Sequence, residues 1–240
     1  MGVNDRADLA RADAWLSAAK ARALAAAGVT ILAPERVRIE AEVEVGADTL
    51  LHPEVFLGGT TRIGSGCTLH QGAWLRDTEL ADGAVVEPYS VLDGARVGPG
   101  CRVGPFARLR PGAVLEAGAK VGNFVEVKNA HLGTGAKANH LAYLGDAEIG
   151  ARANIGAGVV TCNYDGVAKH RTEVGAGAFV GSDTMLVAPV RVGAEATTAA
   201  GSVITKDVPD GALAVERSEQ RQYPGWAERR RRGRGGKGKG

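Results

Sequence analysis

A six-residue period governs most of this chain. Aliphatic residues recur at Ile39, Val45, Leu51, Leu57, Ile63, Leu69 and Leu75; after a slip of one they continue at Leu80, Val86 and Leu92, and after another at Val97, Val103, Leu109, Leu115, Val121 and Val127. Later members are Leu132, Ile149, Ile155, Val174, Val180, Leu186, Val192 and Ile204. Several directly precede a glycine, as in Ile63-Gly64, Val97-Gly98 and Ile149-Gly150, and a small or β-branched residue often stands four places on, as at Thr49, Cys67, Ala113 and Thr184. Six is neither the helical period nor the alternation of a simple strand. It fits one short strand plus one turn. Three such units close a triangular coil of about 18 residues, stacked on the next at the β spacing of about 4.8 Å. The aliphatic side chain points inward onto its equivalents above and below, and glycine permits the tight corner. Aromatic residues make up only 5% of the chain, so the core must be aliphatic, which suits thin repeating layers. The period predicts a parallel β-solenoid and leaves its hand open, since right-handed crossovers are the general rule for parallel strands.

The rest of the chain is organised around that solenoid. Residues 4–27 read as a helix: Asn4 or Asp5 can cap it, LARADAWLSAAKARALAAAG is rich in strong helix formers, and Gly28 supplies a stop. The repeat breaks between Thr161 and Val174, where CNYDGVAKHRTE is inserted; loops on solenoids often form binding faces. From Gln220 onward the period is lost. The expected division is a helix over 1–28, a β-helix domain over 29–217, and an arm with a disordered basic tail over 218–240. Residues 221–240 carry a local charge of +7 on a chain of net +2, so the body carries −5 and the basic character belongs to the tail. No run of about 18 apolar residues is present and the N-terminus has no apolar signal core, so neither a membrane span nor a signal peptide is expected. Three widely spaced cysteines, Cys67, Cys101 and Cys162, suggest a reducing cytoplasm rather than a disulfide framework.

Residues 105–184 hold nearly all the unusual polar positions. In order they carry FARLRPGA, VGNFVEVK, HLAYLGDAEIG, NIGAG, TCNYDG and VGSDT. This ordered set resembles the C-terminal domain of the bacterial bifunctional N-acetylglucosamine-1-phosphate uridyltransferase/glucosamine-1-phosphate acetyltransferases, and the resemblance extends from Gly2 to about Trp226. It implies an all-β fold, a left-handed parallel β-helix with an N-terminal helix and a C-terminal arm. It implies a homotrimer with active sites at subunit boundaries, and transfer of acetyl from acetyl-CoA to the amine of glucosamine 1-phosphate, a step toward UDP-N-acetylglucosamine and cell-envelope precursors.

The resemblance also assigns residues. His140, in NHLAYLGD, is similar to the family's proton acceptor; an amine must be neutral to attack a thioester, and imidazole suits that task near neutral pH. Arg110 and Lys128 match ligands of the sugar phosphate, whose dianion such cations grip by charge-assisted hydrogen bonds, and Lys169 in the inserted loop matches a further contact. Tyr143 and Asn154 match positions that hydrogen-bond the sugar, and Glu126 is a weaker match that would orient the sugar or tune the histidine. Ala157, Asn163, Tyr164, Ser182, Ala200 and Arg217 resemble acetyl-CoA contacts, with a backbone N–H near the small residues available to the thioester oxyanion. No metal and no nucleophilic cysteine is required. Cys67 and Cys101 read as packing residues, and Cys162 lies near the expected CoA site without being a nucleophile.

The family's nucleotidyltransferase domain, with its Gly-rich phosphate loop and magnesium carboxylates, has no counterpart in these 240 residues. The expectation is therefore an acetyltransferase without uridyltransferase activity. Three other readings share some features: a hexapeptide acyltransferase with a different acceptor, a zinc hydratase on the same fold, and a non-catalytic scaffold. The ordered motifs favour the amino-sugar phosphate over other acceptors. The five histidines, at 52, 70, 131, 140 and 170, show no close ligand pair for zinc. RRRRGRGGKGKG reads as a solvated terminus rather than a nucleic-acid site.

Overall fold

The computed structural model describes residues 2–235, so Met1 and residues 236–240 of the expected basic tail lie outside the described residues. Helix α1 (Arg6–Ala26) opens the chain, capped by the Asp5 carboxylate, which accepts from the Asp8 N–H at 2.7 Å. Ala21 and Leu24 pack it against the first coils, and Lys20 donates to the Ala41 carbonyl at 2.8 Å.

From Thr30 the chain winds into a three-sided prism. The first face holds eleven parallel strands, from Thr30–Ile31 to Leu213–Ala214; the second holds ten, from Arg38–Ile39 to Val203–Ile204; the third holds nine, from Glu44–Val45 to Val190–Val192. All paired strands are parallel and one coil apart. All the aliphatic residues of the six-residue series are buried except Val45, which is half-buried and packs on the same core. The inward positions outside that series are filled by Ala138, Leu144, Thr161 and Thr198. Among the described residues one buried side-chain oxygen, Thr172 Oγ1, lacks a hydrogen-bond partner.

Two departures from regularity matter for function. The insertion leaves after Cys162 and returns at Thr172, yet the strands on either side keep their pairing: Val160 pairs with both Tyr143 and Met185, and Thr172 with Ala147. At the corner between first and second faces, Tyr89, Phe106, Phe124 and Leu141 occupy four successive coils in the left-handed backbone region, with φ of 57°, 54°, 56° and 51°. That region costs a non-glycine residue roughly 1–2 kcal/mol. All four are exposed, and the three rings stack at 5.5 Å intervals. At the other end, Trp226–Gly235 forms helix α2, where the sequence reading expected an irregular arm and disordered tail; Ala227, Glu228 and the arginine run are all good helix formers.

Candidate active site

His140 ends the first-face strand Lys137–His140 at the corner that carries the stacked rings. Its Nδ1 lies 2.6 Å from Asn123 Oδ1, one coil below in direct register. Because the Asn123 oxygen can only accept, Nδ1 carries a proton, and in the neutral ring the lone pair is therefore on the exposed Nε2. The two backbones lie close here: a Cβ on Gly122 would sit 2.0 Å from the Asn139 carbonyl oxygen, so only glycine fits next to Asn123.

The residues expected to hold acetyl-CoA divide into two groups. Lys137, Asn154, Phe179 and Thr197 are paired in register on the first face. Three residues beyond each lie His140, Ala157, Ser182 and Ala200, so these four form one column over successive coils. Corner bonds hold the column: the Asp183 N–H donates to Ala157 O at 2.7 Å and the Gly201 N–H to Ser182 O at 2.8 Å. Arg217 Nη1 donates to Ala200 O at 2.7 Å and adds a cation at its end. Small side chains thus leave a track running from a cation to the imidazole. Asn163 and Tyr164 are elsewhere, in the inserted loop at the opposite edge of the second face.

The residues expected to bind the sugar phosphate gather mainly at that opposite edge. Arg110 Nη1 donates to Glu126 Oε1 at 2.9 Å, and Glu126 pairs in register with Tyr143. Lys128 pairs with Gly145, and a Cβ there would lie 2.5 Å from Tyr143 Oη and 2.8 Å from Asn163 Nδ2. The glycine therefore leaves a floor over which two polar groups converge. Lys169 reaches the same place from the loop. Its contact with Lys128, then its charge and that of Arg110, together with burial, hold the Lys128 ammonium below its ordinary pKa range against the opposing Asp146. Asn154 stays apart, facing outward on the first face. Cys162 is half-buried and burial pushes its thiol up, which disfavours a thiolate nucleophile.

Sequence reasoning missed Asn123 and Asp146. Asp146 accepts from Asn129 Nδ2 at 2.6 Å and from Asn163 Nδ2 at 2.5 Å. The signal available for both was spacing: each contact joins residues 17 apart, one coil of the solenoid.

The short strands, their three-sided winding and the column of small residues define the class: a left-handed parallel β-helix of the hexapeptide-repeat type. Two solved members are similar in fold. The Arabidopsis UDP-N-acetylglucosamine acyltransferase aligns with a TM-score of 0.59 at 16% identity, covering 82% of this chain and 75% of its own. The Francisella novicida UDP-N-acetylglucosamine acyltransferase aligns at 0.52 and 16%, covering 78% and 67%. The sequence itself is much closer to the bifunctional protein GlmU. It is 57% identical to that of Syntrophotalea carbinolica over 226 residues, 94% of this chain and 49% of the relative. It is 55% identical to that of Anaeromyxobacter sp. over 230 residues, 96% and 47%. Over the part it shares, the chain belongs to the GlmU family; it spans about half the length of the curated relatives it matches, consistent with their C-terminal acetyltransferase domain. No family model matches the chain.

Proposed function

We propose that this chain transfers acetyl from acetyl-CoA to the amine of glucosamine 1-phosphate, giving N-acetylglucosamine 1-phosphate for UDP-N-acetylglucosamine and cell-envelope synthesis. The observation that carries the reading is the His140 column: an imidazole with its Nε2 free, at the foot of a track of small residues that ends in a cation. The pantetheine arm lies along Ala157, Ser182 and Ala200, with Arg217 on a CoA phosphate. Arg110, Lys128 and Lys169 grip the sugar phosphate, and Tyr143 and Asn154 hydrogen-bond the sugar. Glu126 orients Arg110. His140 Nε2 takes the amine proton as nitrogen attacks the thioester carbon; the C–N bond forms, the C–S bond breaks, and the proton returns to the departing thiolate. The backbone N–H of Ala157 is the candidate donor to the oxyanion. In this reading the base is His140 and the oxyanion donor a backbone N–H, so the acetyl-transfer step is written without a metal.

One chain places His140 and the small-residue column at one edge of the prism, and Asn163, Tyr164 and Lys169 at another. Two copies joined along the edge of stacked rings would bring both sets into one site, which supports a homotrimer with active sites between subunits. The free cysteines suit a cytoplasmic setting. Among the described residues no helix is long and apolar enough to cross a membrane.

The test is release of free thiol from acetyl-CoA with glucosamine 1-phosphate. Activity should fall roughly 10²–10⁴-fold in His140→Ala. A folded, associated protein without activity on this acceptor overturns the substrate, and activity that survives the substitution overturns the base.

A further inference from the structure

The inserted loop carries Lys169 into a place where Arg110 and Lys128 already stand. Three cations at one spot repel each other until an anion arrives, so something in the protein must hold them there. Asp146 lies at the corner from which the loop grows. One carboxylate oxygen accepts from Asn129 in the coil below, and the other from Asn163 where the loop departs. Its backbone carbonyl accepts from the Thr172 N–H at 3.1 Å where the loop returns. The loop is otherwise folded on Asp165, which accepts from the N–H groups of Val167 and Ala168 and pairs with His170 Nε2.

We propose that Asp146 is a positioning residue for the phosphate grip: it pins the inserted loop at both ends and supplies the fixed negative charge that lets Lys128 and Lys169 stand together. The inference rests on reading these cations as phosphate ligands. Burial opposes ionisation of Asp146, but the two amide donors and the neighbouring lysines outweigh it and hold the carboxyl below the usual carboxylate range. The anion is therefore permanent at neutral pH. The charged groups acting on Lys128 are Lys169 from the loop, Arg110 and Asp146; Arg110 is itself paired with Glu126, and His170 with Asp165. Within the Lys128 environment, Asp146 is the carboxylate that favours the charged ammonium.

Asp146→Asn tests this with little risk to folding. The corner is left-handed, with φ of 48°, and asparagine already occupies the equivalent corner at Asn129, φ 45°. Isotope-labelled lysine NMR, with Lys128→Arg used for assignment, reads the Lys128 titration directly. Its midpoint should fall by at least about half a pH unit in Asp146→Asn. Glucosamine 1-phosphate binding, read by calorimetry, should weaken roughly tenfold at about pH 9 and less than about twofold at about pH 6. An unmoved midpoint, or equal weakening at both values, would make Asp146 merely structural and overturn the inference whatever the acceptor is. A shifted midpoint in a protein whose wild type binds no sugar phosphate would instead overturn the reading of the site.

Discussion

His140 owes its orientation to a side chain 17 positions earlier, so the imidazole proposed as the base is only as well placed as the contact between two coils. Asn123→Ala removes the acceptor that fixes the tautomer. Acetyl transfer should fall about tenfold or more with little change in thermal stability, because both side chains are exposed or half-exposed and outside the core. Gly145→Ala places a methyl where Tyr143 Oη and Asn163 Nδ2 converge, and displacing either by about an ångström is worth up to roughly 100-fold in kcat/KM. Thr172 offers the opposite kind of substitution. Its hydroxyl is buried without a partner, so Thr172→Val should stabilise the protein by about 1 kcal/mol in urea unfolding while leaving the fold unchanged. At this scale the sequence nominated residues that stand in a motif, such as His140 and Arg110, and their roles remain part of the proposal. It was silent where the role comes from stacking, as at Asn123 and Asp146, because nothing local marks a partner one coil away.

Strands of two to four residues have no stability of their own; they exist because each is paired above and below and carries one inward side chain. Leu144→Ala should therefore cost about 2–5 kcal/mol, as for any fully buried leucine, and be felt by the coils on both sides. The third face adds a charged ladder. His131 Nε2 meets Glu116 at 3.0 Å and its Nδ1 meets Glu148, which also pairs with Arg171 at the return of the inserted loop. Burial pulls His131 down, but the two carboxylates together outweigh it and raise its pKa. The folded protein thus binds this proton more tightly than the unfolded chain. The contribution to stability is complete below the unfolded value of about 6.5 and is lost as pH climbs through the raised folded value. Urea unfolding across that window should show the decline, and His131→Gln should flatten it. The period made the strands legible because almost every inward position is aliphatic. Ala138, Thr161 and Thr198 escaped it because an inward alanine or threonine does not stand out in an aliphatic series, and hydropathy does not register a buried threonine such as Thr161 that bonds to a backbone carbonyl. Helix α2 escaped because an arginine run reads as solvated whether or not it is helical.

At the scale of the whole molecule, the prism presents an edge that a solitary chain does not explain. Tyr89, Phe106, Phe124 and Leu141 accept left-handed backbone conformations and still point large apolar groups outward. If the proposed trimer forms along this edge, Phe124→Glu should leave the circular dichroism of the solenoid unchanged, yield monomers in light scattering, and abolish the proposed acetyl transfer. An associated, active variant would show that the rings serve only the single chain. The handedness came from the resemblance and not from the period, and the trimer stands as a proposal with the same source.

The inserted loop enters and leaves the solenoid without disturbing its register, since Val160 pairs with Tyr143 before it and with Met185 after it. On the proposed reading the loop adds Asn163, Tyr164 and Lys169 to a frame that already carries Arg110, Lys128, Tyr143 and the His140 column. A lineage could alter the loop in length or in charge and leave the winding of the prism intact.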